Sequence, residues 1–329
     1  MNKERIENLR AVVRKVLNQN IDGDYVLLDV PNHSNIGDTL IWEGELKYLE
    51  ELKYKCLYTS NIFTYDSKKV PKNAIILLHG GGNFGDVWSM NQKYRNQVIT
   101  DFPNNKIIIF PQTLHYHNEQ NAINDSKLYK KHPNLIICTR DQVSLEIAQK
   151  YFPSNNIYML PDMAFFNDFS EFVSTSKTNK TLLLERMDKE LGNVALLQKQ
   201  LETLHKSETK IEVKDWPGFY KQGTLQQKAD NLYNFAEIVG SKILLKSPLK
   251  FLVNDAHGLR GKRYKERRIK TGIKFINHYD VVYSTRLHGF ILAVLLNKKV
   301  FIFDNSYGKN KNFFETWLKD FENVKLISK

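Results

Sequence analysis

The sequence predicts an α/β fold with two Rossmann-like domains. Its 329 residues are more than one hydrophobic core of ordinary size organises, so two domains of about 150 residues each are expected. Short apolar runs alternate with stretches of helical spacing, which is typical of strands that alternate with helices. The same alternation begins again after a polar segment in the middle of the chain. We therefore expect two such domains in series.

The first half carries six strand-like runs. Several are unbroken apolar blocks, as expected where helices cover both faces of a parallel sheet. Helices are predicted over 38–53 and over 141–152, the second with Asp141 near its N-cap. The six runs are YVLLDV (25–30), KCLYTS (55–60), NAIILLHGGG (73–82), KIIIFPQT (106–113), LIICTR (135–140) and IYMLPD (157–162).

The segment NDFSEFVSTSKTNK (167–180) is rich in Ser, Thr and Asn, lacks periodicity and is the predicted linker. We accordingly place the first domain at 1–170 and the second at 171–329. Strand-like runs in the second domain alternate with helical stretches, one of which fills the interval between the first two runs. These runs are TLLLER (181–186), IEVKDWP (211–217), LKFLVND (249–255), DVVYST (280–285) and VFIFDN (300–305).

The N-terminal twenty residues have the spacing of an amphipathic helix, which we expect to dock on its own domain rather than to lie on a membrane. The longest apolar run, FILAVLL (290–296), is far short of the roughly 20 residues that span a bilayer. Cys56 and Cys138 each fall in a strand-like run, so we expect two buried free thiols in a reducing compartment. A cytoplasmic protein is predicted.

Positive charge is concentrated in one segment. The chain carries a net charge of +12, and residues 242–274 hold eleven lysines and arginines against two acids. A solvated helix face is one interpretation. A contact with an acidic partner, such as anionic lipid or a pyrophosphate-bearing substrate, is the other, and the sequence does not decide between them. No motif for nucleic-acid binding accompanies the charge, so we predict no nucleic-acid partner.

The stretch STRLHG (284–289) is the strongest candidate for a functional site. If the preceding strand continues through His288, its period of two directs Arg286 and His288 to one side. A helix that begins near Phe290 would point free N–H groups at the same space, and this combination favours an anion site. The alternative is that Arg286 pairs with a carboxylate and His288 bonds a backbone carbonyl.

Two turns in the first half follow strands. In NHSNIGDTLI (32–41), Asp38 or Thr39 is a plausible helix N-cap. HGGGNFGD (79–86) contains G-x-G-x-x-G, but no acidic residue ends the next strand, so close backbone approach to a ligand is favoured over dinucleotide binding. His115 and His117 lack neighbouring cysteines or carboxylates, and we predict no metal site.

Three motifs together, NIGD, GGG and S-x-R-L-H-G followed by an apolar helix and DNSYGKN, resemble the polysaccharide pyruvyl transferase family. The resemblance covers roughly residues 35–310. It implies two Rossmann-like domains in a GT-B-like arrangement, with the active site in the cleft between them. It also implies transfer of a pyruvyl group from phosphoenolpyruvate onto two hydroxyls of a sugar, which forms a cyclic ketal in exopolysaccharide or capsule biosynthesis.

The resemblance implies a division of roles between the two halves. His288 would be the general acid of the donor site, and the donor would be bound by Arg286, Leu287, Arg186, Arg140 and Lys309. Whether Arg186 or Arg140 is the second donor arginine stays open. The acceptor side of the cleft would be formed by Asn35, Asp38, Gly80, Gly81, Gly82 and Asp162. No cofactor is implied beyond phosphoenolpyruvate as donor substrate.

Enzymes of this kind act on sugars linked through pyrophosphate to a polyprenyl lipid, so the basic segment would also suit an anionic membrane surface at the inner face of the cytoplasmic membrane. Two other functions are consistent with the layout. One is a GT-B glycosyltransferase that uses a nucleotide sugar. The other is a polysaccharide-assembly partner that has lost catalysis.

Overall fold

The structure is a computed structural model, which describes residues 2–174, 176–186, 211–218, 220, 223–261, 263–304 and 308–327. Within these ranges the chain forms two parallel β-sheets with helices packed against them, and each sheet comes from one half of the sequence. The predicted fold class, α/β with two Rossmann-like sheets, is confirmed. The helical stretch predicted between residues 186 and 211 lies outside the described residues.

The first sheet has the order β2-β1-β3-β5-β6-β7, with β4 paired to the end of β5, and all pairs are parallel. Its strands are β1 (Tyr25–Leu28), β2 (Cys56–Ser60), β3 (Ile75–Leu78), β4 (Gly81–Gly85), β5 (Ile107–His115), β6 (Leu135–Thr139) and β7 (Asn156–Met159). Its helices are α1 (Asn2–Asn20), α2 (Ile36–Leu49), α3 (Ser89–Asp101), α4 (Glu119–Tyr129) and α5 (Gln142–Tyr151).

The second sheet has the order β12-β11-β10-β8-β9 and is also parallel throughout. Its strands are β8 (Thr181–Leu184), β9 (Ile211–Lys214), β10 (Val281–Ser284), β11 (Lys299–Ile302) and β12 (Val324–Leu326). Its described helices are α6 (Leu225–Leu245), α7 (Tyr264–Asn277), α8 (Leu287–Leu295) and α9 (Lys309–Phe313), the last followed by a π-helical turn over Phe314–Leu318.

Both sheets reverse their strand order at an internal point. In the first sheet this point lies between β1 and β3, and in the second between β8 and β10. Open parallel sheets bind ligands beyond the carboxyl ends of their strands at such points. The residues that follow β1, β3, β8 and β10 are therefore the ones that the topology places for function.

A shared core fixes the two sheets relative to each other. Ile36 and Leu40 of α2 pack in the same buried cluster as Leu184, Ile269 and Leu292 from the second half. Helix α1 contacts both halves, because Leu9 joins this cluster while Val13 and Leu17 pack under the first sheet. The predicted N-terminal helix is thus confirmed, and it docks against both halves rather than against one.

Three local predictions are wrong. Residues 249–255 do not form a strand, because Pro248–Leu252 is a 3-10 helix whose first residue is the proline and whose N-cap is Ser247. Helix α2 begins at Ile36, and its N-cap is Asn35, whose side chain accepts a hydrogen bond of 3.0 Å from Gly37 N. Cys56 is exposed, because it opens strand β2 at the edge of the sheet.

The other cysteine and the second cap agree with prediction. Cys138 is buried in β6, and burial raises the pKa of its thiol. Asp141 is the N-cap of α5 and accepts a hydrogen bond of 2.8 Å from Ser144 N. The helix therefore begins where a carboxylate satisfies one of its free N–H groups.

Candidate active site

A cavity of about 450 Å³ lies between the carboxyl ends of the two sheets. The cavity is lined from both halves of the chain, in the cleft where the family resemblance implies the active site. Nine of the twelve predicted site residues line the cavity: Arg286, Leu287, His288, Arg186, Arg140, Lys309, Asn35, Asp38 and Gly82. The other three, Gly80, Gly81 and Asp162, do not appear in its wall. Asp162 instead bonds two residues that do.

Arg286 occupies the N-cap position of α8 with an extended backbone. Its Nε and Nη2 atoms both donate to the carboxylate of Asp215, the second at 2.7 Å, so the guanidinium is held in a fixed plane. Asp215 follows β9, and only 5% of Arg286 is exposed. The carboxylate partner considered in the sequence alternative is therefore present, and Arg286 nevertheless lines the cavity.

His288 lies inside helix α8 and not on an extension of β10. The strand ends at Ser284 and the helix already begins at Leu287, so the predicted two-residue period does not apply. Arg286 and His288 share the cavity because the N-cap and the second helical residue both face it. The predicted juxtaposition is present, but its geometric reason was wrong.

His288 is joined to a buried ion pair. Its Nε2 atom is 3.2 Å from Asp162 Oδ2 and 3.4 Å from Arg140 Nη1. Burial lowers the pKa of His288, although the carboxylate of Asp162 opposes this shift. Burial acts against the ionised form of Asp162 as well, but His288 and Arg140 prevail and hold the pKa of that carboxyl well below its usual range. The environment of His288 thus favours the neutral imidazole, whereas that of Asp162 favours the ionised carboxylate.

A chain of hydrogen bonds orients Arg140. Its Nη1 donates to Asp162 Oδ2, and its Nε donates over 2.9 Å to Thr113 Oγ1. Thr113 in turn donates to Asp141 Oδ2 over 3.1 Å, which links the site to the N-cap of α5. Among the described residues, the buried Nη2 atom of Arg140 has no hydrogen-bond partner. Such an unsatisfied buried donor is costly unless a ligand or water completes it.

Two glycines let the two halves approach each other closely. A Cβ atom added at Gly37 would lie 2.8 Å from His288 Nδ1. One added at Gly82 would lie 2.6 Å from Lys309 Nζ and 3.1 Å from Arg140 Nη2. Any side chain at either position would displace these charged or titratable groups. Gly37 of the NIGD motif and Gly82 of the GGG motif therefore leave room for His288, Lys309 and Arg140 because they have no side chain.

Asp38 faces the cavity and does not cap its helix. Its Oδ2 accepts a hydrogen bond of 2.7 Å from Asn35 Nδ2 and lies 3.5 Å from His33 Nε2. Burial opposes ionisation of Asp38, but the nearby His33, His288 and other basic groups outweigh it and lower the pKa. The wall formed by the first half of the chain therefore presents a carboxylate near His288.

Cations outnumber carboxylates in the cavity wall, although Arg286 and Arg140 are each paired with a carboxylate behind it, Asp215 and Asp162. Among the described residues that line it, one carboxylate, Asp38, stands against five permanent cations: Arg140, Arg186, Arg260, Arg286 and Lys309. Arginine binds carboxylates and phosphates through paired donors, so this wall suits a small ligand that carries several negative charges. The imidazole of His288 in the same wall adds a group that can move a proton near neutral pH.

Sequence reasoning missed several residues of the site. Asp215 follows strand β9. Residues that follow strands are expected near a ligand site, which is how Arg286 was found, and the same rule could have found Asp215 in IEVKDWP. Arg260 belongs to the basic segment, residues 242–274. The net charge of that segment does not show which of its residues line the cavity and which lie on the surface. Lys265 and Arg268 of that segment bond Glu43 and the Ser34 carbonyl, so part of it joins the two halves of the chain.

The structure bears on two interpretations that the sequence did not favour, a dinucleotide fingerprint in HGGGNFGD and a metal site at His115 and His117. The glycine-rich segment forms strand β4 alongside β5, not a turn that leads into a helix, so the dinucleotide fingerprint is absent there. His115 and His117 contact each other over 3.3 Å. In the part of the chain that the structure describes, no three His, Cys, Asp or Glu residues are grouped so that they could hold a metal ion. Among the same described residues, no helix is long and apolar enough to cross a bilayer.

The chain is similar to known proteins in structure and in sequence. A crystal structure of a functionally uncharacterised protein from Klebsiella pneumoniae subsp. pneumoniae NTUH-K2044 superposes with a TM-score of 0.58 at 21% identity, covering 98% of this chain and 99% of that one. In sequence, the Bacillus subtilis (strain 168) protein named "Putative pyruvyl transferase EpsO" is 29% identical over 99% of this chain and 93% of its own length. Pyruvyl transferase 1 of Schizosaccharomyces pombe is 29% identical over 89% of this chain and 69% of its own length.

The family model described as polysaccharide pyruvyl transferase matches residues 35–307, which is most of the chain. That range begins at the N-cap of α2 and includes the cavity residues that follow β3, β6, β8 and β10. The chain therefore belongs to the polysaccharide pyruvyl transferase family.

Proposed function

We propose that this enzyme transfers the pyruvyl group of phosphoenolpyruvate onto two hydroxyls of a sugar to form a cyclic ketal. The observation that carries the proposal is the cationic cavity in which the planar, bidentate-held guanidinium of Arg286 stands beside His288. Phosphoenolpyruvate carries a carboxylate and a phosphate, which match such a wall. Its methylene carbon requires a proton donor within the same space.

In this proposal the donor is bound from both halves of the chain. Arg286 and Arg186 approach from the ends of β10 and β8, and Arg140 approaches from the end of β6. The unsatisfied Nη2 atom of Arg140 supports a donor contact there. Lys309, next to Gly82, supplies a further cation for the phosphate. Both Arg186 and Arg140 thus act on the donor, rather than one in place of the other.

The first step forms the bond between an acceptor oxygen and C2 of phosphoenolpyruvate. The π electrons of the C2=C3 bond take a proton at C3 from the imidazolium of His288, and the acceptor hydroxyl loses its proton to a base. The second hydroxyl then bonds C2 while the C2–O bond to phosphate breaks, and phosphate leaves with that electron pair. Neutral His288 takes the second hydroxyl's proton, which restores the imidazolium.

Donor binding would prepare His288 for this role. Burial lowers the pKa of His288, whereas a bound dianionic phosphate and a carboxylate would favour the imidazolium. The histidine would therefore take up a proton when phosphoenolpyruvate enters. His288 would remain inactive as an acid without its substrate.

We further propose that the N-terminal domain faces the acceptor, that the acceptor is a polyprenyl-pyrophosphate-linked sugar, and that the enzyme works in the cytoplasm against the inner membrane leaflet. Helix α6 supports the membrane contact, because its inner face is polar and its outer face is apolar. Glu237 and Ser241 are buried, whereas Leu225, Leu232 and Phe235 are between 65% and 83% exposed. Exposed Lys228 and Lys242 on the same helix match an anionic lipid surface.

The proposal is tested by release of inorganic phosphate from phosphoenolpyruvate in the presence of a panel of lipid-linked sugars. We expect release that requires an acceptor, with formation of a ketal that carries the pyruvyl carbons. His288→Gln should lower kcat by at least about 100-fold, as loss of a general acid does. Lys270→Ala, which removes an exposed charge far from the cavity, is the control. Release that is absent in the wild type with every acceptor, or unchanged in His288→Gln, would refute the proposed chemistry.

A further inference from the structure

A buried glutamate–histidine pair lies beside the cavity and has no role in the steps above. His79 follows β3, next to the point where the strand order of the first sheet reverses, and Glu45 lies on α2. The His79 Nδ1 atom is 2.8 Å from Glu45 Oε2, and Glu45 Oε1 accepts a hydrogen bond of 2.8 Å from Gly80 N. Glu45 is fully buried and His79 is 3% exposed.

The pair fixes which nitrogen of His79 is available. Because the Glu45 carboxylate accepts from Nδ1, the neutral imidazole carries its proton there and presents a lone pair at Nε2. Nε2 is buried and, within the described part of the chain, has no hydrogen-bond partner. The backbone of His79 is held on both sides, by the Leu28 carbonyl and by Gln112 Nε2. The ring is therefore held rigidly, with no hydrogen bond at its basic nitrogen among the described residues.

His79 borders a small recess of about 40 Å³ that is lined by both polar and apolar residues. The side chains of Asp29, Asn32, Asn61 and Asn91 line it, and this is a composition that binds hydroxyl groups. The volume admits a group of a few heavy atoms, such as a hydroxymethyl arm, but no sugar ring, since one water needs roughly 10–15 Å³ on this measure.

The recess adjoins the main cavity. Asn32, His33, Asp38 and Asn83 line both spaces. Asp38 interacts electrostatically with His288 on one side and with His79 on the other. The recess therefore adjoins the proposed donor site on the side that we assign to the acceptor.

A purely structural ion pair is the simpler explanation of Glu45 and His79, but one observation opposes it. A structural pair gives no reason for the buried Nε2 atom of His79 to lack a hydrogen-bond partner among the described residues, which costs free energy.

We propose that this recess binds an acceptor hydroxyl or hydroxymethyl group, and that His79 Nε2 takes the proton of the hydroxyl that attacks C2 first. The inference rests on the proposed pyruvyl transfer and completes its proton balance. The O–H bond breaks, its electrons form the C2–O bond, and the proton resides on His79 until phosphate or solvent removes it. Glu45 is a positioning residue that acts through His79.

The experiment uses the full chain, phosphoenolpyruvate and whichever lipid-linked sugar gives the fastest phosphate release. His79→Asn keeps an N–H that can donate to Glu45 but removes the basic nitrogen. We expect kcat to fall at least about 100-fold, as for loss of a general base. Stabilisation of the protein by phosphoenolpyruvate alone should stay within error of the wild type, because the donor site is untouched.

Glu45→Gln supplies a readout that a structural role would not change. The groups that face His79 are Glu45 and Asp38 from α2, Asp29 after β1 and His33 in the next loop. Burial favours the neutral ring, but the carboxylates outweigh it and raise the pKa of His79. Because a base must be unprotonated, activity is lost as pH falls through this pKa. Glu45→Gln should move the acid limb of kcat/KM to lower pH by about one unit.

The outcomes separate the two proposals. If the wild type releases no phosphate from phosphoenolpyruvate with any sugar, both proposals are overturned. If the wild type is active but His79→Asn keeps kcat within about two-fold, only the base role fails. If His79→Asn does not fold, Glu45→Gln decides alone. An acid limb of its kcat/KM profile at the same pH as in the wild type would overturn the base role of His79.

Discussion

At Gly37, the absence of a side chain is as important to the site as the charges around it. His288 cannot move away from a new methyl group without losing its contacts to Asp162 and Arg140, because both lie at its Nε2 atom. We predict that Gly37→Ala lowers kcat at least ten-fold. The melting temperature should also fall, because the clash with the buried imidazole outweighs the preference of about 1 kcal/mol for Ala over Gly in a helix.

Gly23→Ala is the matched control for this prediction. A Cβ atom there would meet only Ile75 Cδ1 at 3.9 Å, which is an ordinary contact, and the backbone is not left-handed. Its activity should equal that of the wild type in the same phosphate-release assay. Full activity in Gly37→Ala would mean that His288 does not need its observed position.

Asp29 is predicted to reduce stability at neutral pH. Burial is the largest cause that raises the pKa of Asp29, to about 6, while Arg95 and other partners oppose the shift. A raised carboxyl pKa means that the folded state binds more protons than the unfolded state between about pH 4 and 6. Stability therefore falls as pH rises through this window, by at most about 3 kcal/mol in total.

The substitution Asp29→Asn tests this directly. Asparagine tolerates a left-handed backbone as aspartate does and can still accept from Asn91 Nδ2. Urea unfolding at pH 8 should give a higher free energy of unfolding for Asp29→Asn than for the wild type, with the difference disappearing near pH 4. A variant that is less stable than the wild type at pH 8 would show that Asp29 is well accommodated as an anion.

Helix α5 connects ordinary capping to the site. Asp141 caps the helix with one carboxylate oxygen and accepts from Thr113 with the other, and Thr113 accepts from Arg140. We predict that Asp141→Ala costs about 1 kcal/mol of stability, as lost caps do, and also lowers activity because Arg140 loses an orienting partner. Denaturant unfolding and phosphate release measure the two effects.

Asn118→Ala is the comparison for that prediction. Asn118 caps α4 by accepting from Gln120 N over 2.9 Å, and it is exposed away from the cavity. It should lose a similar amount of stability with no loss of activity. Equal activity in both variants would show that the bond from Thr113 to Asp141 does not matter for Arg140.

The strands and their order of appearance could be predicted because unbroken apolar blocks carry the signal of a parallel sheet. The failures are local and have physical causes. LKFLVND is apolar, yet Phe251 is 75% exposed and the segment is a 3-10 helix that begins at Pro248. Glycine is depleted in strands, so the local sequence of Gly81–Gly85 does not predict one. This segment is a strand because it pairs with β5, and no local pattern reveals that pairing.

Site residues that follow strands could be predicted from the sequence, Asp162 among them, but which of these residues pair with each other could not. Arg140, Arg186 and Arg286 all follow strands directly. Asp215 and Asp162 orient them from sequence distances of 71 and 22 residues, and only the fold brings these pairs together. The division of the chain at residue 170 stays a prediction, because the buried core is shared by both halves.

The outer surface of α6 yields a prediction for the molecule as a whole. The enzyme should co-sediment with vesicles that contain phosphatidylglycerol more than with neutral phosphatidylcholine vesicles, and less at high salt. Leu232→Gln together with Phe235→Gln should reduce this binding without changing the melting temperature, since both side chains are exposed. Leu57→Gln, an exposed leucine on β2, is the control. Equal binding to both vesicle types at low salt would remove the proposed membrane contact.

The melting temperature of the protein with and without phosphoenolpyruvate tests the donor site most directly. A ligand at about 100 times its dissociation constant adds roughly 2.7 kcal/mol, which corresponds to a rise of several degrees. We predict this rise in the wild type and in His288→Gln, and a clearly smaller one in Arg286→Lys, which keeps the charge but loses the paired donors. A nucleoside diphosphate that stabilises the wild type while phosphoenolpyruvate does not would contradict the donor assignment and favour a glycosyltransferase.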